Sequence, residues 1–160
     1  MFKAPKPFFK PEPLQTMAEP VVPDVVINIC ENCIPEARHL PRQWTQDGVH
    51  VLVREVPCSG KTNSQYLLHT LEGVTHGVCT IACRQGECRL AQGNTRAEVR
   101  IRTMHRLMEE IGLEPERAEF LQFSREDEFE NLERLVRGSV KRLRRLGPSA
   151  LQTVQPGQGH

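Results

Sequence analysis

The chain has 160 residues, 26% charged and 38% hydrophobic, with a formal net charge of +1. That length suits one domain around a single core, and so even a charge balance gives no support to a nucleic-acid or membrane-surface role for the whole molecule. The N-terminal MFKAPKPFFKPEP is basic but lacks the apolar segment of a secretory signal, and no apolar run approaches bilayer length. Both observations point to the cytosol, where the six cysteines favour metal binding or redox chemistry over structural disulfides.

Repeated prolines through residues 1–23 rule out a long helix or a central strand there. The stretch is expected to be an extended arm, anchored by Phe2, Phe8 and Phe9 or else a mobile tail. Residues 24–147 carry the folded pattern, and 148–160, rich in Gly, Gln and Pro, read as a C-terminal tail.

Val25 to Ile29 is an apolar strand interrupted only by Asn28. A short helix is expected next, with Pro35 near its start and Pro41 near its end. Val49 to Val56 alternates as a second strand. Thr62 to Leu71 reads as a helix with Leu67, Leu68 and Leu71 inward, stopped near Gly73. Gly77 to Ala82 has the composition of a strand buried on both faces.

Thr95 and Glu98 have capping-box spacing, and Ile101, Met104, Leu107, Met108 and Ile111 share one helical face, closed by Gly112. Ala118 to Phe123 is a fourth strand. Ser124 with Asp127 can start the last helix, whose stripe is Phe129, Leu132, Leu135, Val136, Val140 and Leu143, ended by Gly147 and Pro148. Arg134, Arg137, Lys141, Arg142, Arg144 and Arg145 crowd its end, complementing the helix dipole or forming a docking patch for an acidic partner.

Strands alternating with helical patterns predict an α/β fold: a small four-stranded parallel sheet of flavodoxin-like order 2-1-3-4, helices on both faces. In that order ligands collect between strands one and three, beyond their carboxyl ends. The cysteines fall there. Cys30 and Cys33 follow strand one, Cys58 follows strand two, and Cys83 and Cys88 follow strand three. Cys79 lies inside strand three and reads as a small core residue.

Five thiols at one switch point suit an iron–sulfur cluster, which takes four cysteine ligands from loops able to wrap it. Gly60 and Gly86 suit backbone passing close to such a group, and Lys61, Arg84 and Arg89 would offset its negative charge. Two other readings stand beside this one. Zinc could take Cys30, Cys33, Cys83 and Cys88, although zinc usually organises domains lacking their own core. A thiol–disulfide oxidoreductase could use Cys30 and Cys33, which leaves the other thiols unexplained. His39, His50, His69, His76 and His105 show no metal-type spacing. Gly60, Lys61 and Thr62 match the end of a phosphate-binding loop, but Glu55 stands where its first glycine is required. No residue is nominated as catalytic.

The combined motif resembles the delta subunit of methyl-viologen-reducing hydrogenase, the hydrogenase iron–sulfur subunit. That family shows CxxC, a CSG(R/K) segment, GCxxGxCHYxxGNxxAxxR, and a helix ending near GIxPER. The matches are Cys30 and Cys33, then Cys58, Ser59, Gly60 and Lys61, then Cys83, Gly86 and Cys88. Gly93, Asn94, Ala97 and Arg100 continue the match, and Gly112 through Arg117 complete it. The resemblance spans roughly Val25 to Gly147. Two departures are Ala82, where the family has Gly, and Arg89 and Leu90, where it has His-Tyr. The resemblance implies one [2Fe–2S] cluster held by four of Cys30, Cys33, Cys58, Cys83 and Cys88. It also implies electron transfer between a hydrogenase or formate dehydrogenase and the flavin subunit of a heterodisulfide reductase-type complex.

Overall fold

A computed structural model describes residues 22–74 and 76–153. The phenylalanine anchors expected in the arm lie outside these residues, as do positions 154–160 of the tail.

The five strands are β1 (Val25–Cys30), β2 (Gln43–Gln46), β3 (Val49–Val56), β4 (Gly77–Cys83) and β5 (Ala118–Phe123), with helices α1 (Ser64–Glu72), α2 (Gly93–Glu110) and α3 (Phe129–Arg145). They form one sheet of order β2-β3-β1-β4-β5. The four expected strands are β1, β3, β4 and β5, and they are parallel in the expected relative order.

The expectation of four all-parallel strands needs correction: β2 is a fifth, antiparallel to β3, and the sheet is mixed. A two-residue turn joins them, with Asp47 and Gly48 both at positive φ (52° and 80°), the twist that lets a hairpin close. Trp44 is the one buried residue of β2, so its hydrophobic pattern was too short to read. The expected Pro35–Pro41 helix is a 3-10 turn, Pro35–His39, leading into β2.

β1 and β4 are buried along their whole length, as befits central strands covered on both faces. On one face Val26 and Val78 pack against Leu67 and Leu71 of α1 and Ile101, Met104 and Met108 of α2. On the other, Ile27, Ile29, Cys79 and Ile81 pack against Leu132, Val136, Val140 and Leu143 of α3. The α3 stripe is as expected, with Phe129 and Leu135 half-buried at its margin. Arg142, Arg144 and Arg145 occupy its last turn.

Helix starts differ from the pattern. Asn63 caps α1, its side chain accepting from Tyr66 N at 2.7 Å. The α2 capping box does not form: the helix begins at Gly93, and the Thr95 hydroxyl turns to Gln85 at 3.0 Å. Of the expected stripe Ile101, Met104 and Met108 are buried, joined by Ala97, while Leu107 is 39% and Ile111 63% exposed at its edge. Ser124 shapes the turn before α3, accepting from Glu126 N at 3.2 Å, and does not cap the helix.

Arg117 ties the amino end of the sheet to the end of α3. It is 2% exposed, and its guanidinium donates to the carbonyls of His76 (2.9 Å), Gly147 (2.7 Å) and Leu146 (3.2 Å) and to the Glu114 carboxylate (2.8 Å). Beyond it, Ala150–Thr153 form a 3-10 turn that packs Leu151 on the α1–α2 cluster. Among the described residues, no helix is long and apolar enough to cross a membrane.

Candidate metal centre

The parallel register brings the carboxyl ends of β3, β1 and β4 side by side, pairing Cys30 with Val56 and Ile29 with Ile81. Cys30 ends β1 and Cys83 ends β4. After Cys30 the chain turns at once, Ile34 N donating to Cys30 O at 3.1 Å, which folds Cys33 back. The sulfurs of Cys30, Cys33 and Cys83 lie within 4.8 Å of one another, all buried.

Cys58 and Cys88 meet on the other wall, around Gly93. A side chain at Gly93 would collide with Cys58 Sγ, and its Cβ would stand 3.5 Å from Cys88 Sγ. The Gly93 amide donates to Cys88 Sγ at 3.1 Å. Gly60 backs this contact: a Cβ there would come within 2.6 Å of Gly93 Cα. Two clamps hold the wall. Arg100 donates to the carbonyls of Gly60 and Thr62, the latter at 3.2 Å. Asn94 donates to those of Cys83 (3.2 Å) and Arg84 (2.7 Å).

The electrostatics follow from burial and neighbours. Burial pushes the Cys30 thiol up, against hydrogen bonds from the Ser59 and Cys33 backbones, and the negative forms of Cys33 and Cys58 push it the same way. Cys83 is raised by burial first, then by its hydrogen bond to Cys33 and the charges of Cys33, Cys30 and Cys88. Cys88 is half-exposed: burial opposes its thiolate, but backbone hydrogen bonds at Asn94, Leu90 and Gly93 outweigh that and lower it. The amino end of α2 thus favours a thiolate, while the buried thiols need a cation before they all ionise. The donor set is soft sulfur throughout, which suits an iron–sulfur cluster or zinc better than a hard cation.

The other nominated residues take definite places. Lys61 is exposed, its amide donating to Cys58 O at 2.9 Å. Gly86 sits in the Arg84–Glu87 turn at φ +81° with no atom within 4 Å of where its Cβ would stand, so the turn's handedness accounts for the glycine. Arg84 pairs with Asp127 at 3.3 Å, and Arg89 lines an open pocket beside the Cys30–Cys33 turn. Cys79 lies in the core, its thiol raised by burial beside Glu119. The histidines make other contacts: His105 bonds Ala118 O at 2.6 Å, His39 packs edge-on to Phe129, and His76 faces Asp24 at 3.8 Å.

Sequence reasoning missed the layer beneath the thiols. Asn28, Thr80 and Ser59 are fully or almost fully buried. Asn28, the one polar residue of VVINIC, was its visible signal.

Residues 25–147 match the family described as methyl-viologen-reducing hydrogenase, delta subunit. The chain belongs to this family. It is 31% identical over 102 residues to an F420-non-reducing hydrogenase iron-sulfur subunit of Archaeoglobus profundus, covering 63% of this chain and 74% of that protein. The F420-non-reducing hydrogenase vhu iron-sulfur subunit of Methanopyrus kandleri is 32% identical over 100 residues, 62% of this chain and 75% of its own. A ferredoxin:CoB-CoM heterodisulfide reductase subunit of Methanosarcina mazei is 29% identical over 129 residues, 81% of this chain but 16% of that longer protein.

Proposed function

We propose that this delta-subunit family member is an electron relay whose thiol pocket holds one [2Fe–2S] cluster. The observation that carries the reading is the convergence of Cys30, Cys33 and Cys83 within 4.8 Å, with Cys58 and Cys88 together at Gly93. Three ligands are Cys30, Cys33 and Cys83; the fourth is Cys58 or Cys88, leaving one spare. The cluster would supply one-electron chemistry, and no bond of an organic substrate is broken here.

The protein's own residues provide the rest. Gly60 lets the Cys58 turn close on Gly93, Lys61 and Arg89 offset the charge of a thiolate-bound cluster, and the Gly86 turn carries Cys88 back to the site. Residues 24–147 form the cluster-bearing domain, with the segments on either side left to contact partners.

The partner classes are a hydrogenase or formate dehydrogenase and the flavin subunit of a heterodisulfide reductase-type complex, in the cytoplasm. Support comes from the names of the two hydrogenase iron-sulfur relatives. It also comes from the match within a heterodisulfide reductase polypeptide, where a like domain is part of one longer chain.

Anaerobically purified protein is expected to be brown, with about two irons and two acid-labile sulfides per chain and an EPR signal on reduction. Colourless protein with stoichiometric zinc would overturn the reading, as would metal-free protein with a reversible Cys30–Cys33 dithiol.

A further inference from the structure

We propose that Arg54, Tyr66 and Asn28 form a one-way hydrogen-bond relay that delivers positive potential beneath the thiol pocket and raises its affinity for an electron. The inference rests on the iron–sulfur reading above and assigns it positioning residues.

The direction of the relay follows from the chemistry of each group. Arg54 can only donate and is always charged, and its Nη1 lies 3.2 Å from Tyr66 Oη. The tyrosine oxygen therefore accepts there, and its single proton goes to Asn28 Oδ1 at 3.3 Å. That bond fixes the amide: oxygen toward Tyr66, NH2 away from it. Asn28 Nδ2 is buried with no partner among the described residues. A chain that starts on a guanidinium thus ends on a free donor, and each bond polarises the next.

The free donor lies where the site needs it. Alternation along β1 puts the Asn28 and Cys30 side chains on one face, about 7 Å apart along the strand. Arg54 on β3 and Thr80 on β4 are the register partners of Asn28, so a polar layer crosses three strands one step below the thiols. The hydroxyls of Thr80 and Ser59 are likewise buried without a partner among the described residues, and Ser59 directly follows Cys58. Buried donors left unpaired in an otherwise apolar core are rare. Three such groups, on Asn28, Thr80 and Ser59, adjoin the thiol-bearing segments, where an acceptor gaining negative charge on reduction rewards them.

The test is the midpoint potential of the full-length protein, measured by spectroelectrochemical titration with iron and sulfide assayed in parallel. Tyr66→Phe keeps the ring and removes the link. Its potential is expected to fall by about tenfold in the one-electron equilibrium, about 59 mV, with iron content and thermal midpoint near wild type. Arg54→Gln, at a half-buried position, is expected to fall in the same direction. The double variant should fall by less than the sum of the two single shifts, because part of the Arg54 charge acts through the phenol and the rest through space. A Tyr66→Phe potential within about twofold of wild type in that equilibrium overturns the relay, and so do additive shifts in the double variant. Should Tyr66→Phe not fold, an unshifted Arg54→Gln overturns it equally. Wild-type protein that takes up no iron refutes the iron–sulfur reading itself, an outcome separate from iron-replete variants with unchanged potentials.

Discussion

Gly93 gives the sharpest test of the thiol pocket, because alanine there would help the helix and harm the site. It opens α2, and in a helix glycine costs about 0.5–1 kcal/mol relative to alanine. On propensity alone Gly93→Ala should stabilise. The added Cβ, however, would collide with Cys58 Sγ, and restoring ordinary contact requires the sulfur to move by more than about 1 Å. Metal–sulfur bonds tolerate about 0.2 Å. The displacement exceeds that about fivefold, whereas Cys88 Sγ would stand at 3.5 Å, an ordinary contact that leaves it in place. With Cys58 as the fourth ligand, the variant is expected to lose most of its iron and visible absorbance; with Cys88 in that role it should keep them. Overpacking costs about 1–3 kcal/mol, so stability changes little or falls modestly. Gly138→Ala in α3 is the control: the nearest atom to its Cβ position is the flexible end of Arg142 at 3.3 Å. This variant should keep its iron and gain up to about 1 kcal/mol. Iron content and spectra of Gly93→Ala indistinguishable from wild type would refute Cys58 as the fourth ligand.

Serine substitution of the site cysteines one at a time should abolish the cluster at Cys30, Cys33 and Cys83 and spare it at one of Cys58 and Cys88, read as iron per chain; loss at all five or retention at Cys83 contradicts the arrangement. Arg117→Met strips the donors from three half-buried carbonyls and should cost about 3 kcal/mol, a fall in Tm of about 10 °C, by denaturant and thermal unfolding. A cost below about 1 kcal/mol would show that Arg117 is not a latch. Burial raises the Glu133 carboxyl, against the pull of Arg137, and one of its oxygens is buried without a partner among the described residues. A raised folded-state pKa means that stability is full below the unfolded value and is lost as pH rises through the folded one. Glu133→Gln is therefore expected to unfold at a higher temperature than wild type at pH 7 and at a similar one near pH 4; an equal Tm at pH 7 would contradict this.

How far the sequence carried depends on burial. β1 and β4 are covered on both faces, so they read as unbroken apolar runs whose ends located the cysteines. β2 buries Trp44 alone; its one clear signal is the Asp47–Gly48 turn, too little by itself to mark a strand. The start of α2 differs from its pattern because Thr95 and Glu98 imitate a capping box. Its true start is set by tertiary demand, the absence of a Cβ at Gly93 between two sulfurs, which no periodicity reveals. The grouping of five thiols was legible from strand ends. Their division into a tight trio and a pair was not, since it depends on how the β3 and β4 loops fold back onto α2.

That division carries a physical consequence. The wall joining Cys58 to Cys88 is made by protein contacts: the Gly60–Gly93 backbone approach, Arg100 on Gly60 and Thr62, and Asn94 on Cys83 and Arg84. None of these bonds involves a metal. The sheet and its two helical layers supply a core of their own, unlike small domains that fold only around zinc. The pocket's cost is electrostatic: burial makes the Cys30 and Cys83 thiolates unfavourable, and a cationic centre relieves this while releasing their protons. Walls braced by these contacts leave the site little to rearrange when the charge on it changes. That rigidity is what a relay requires.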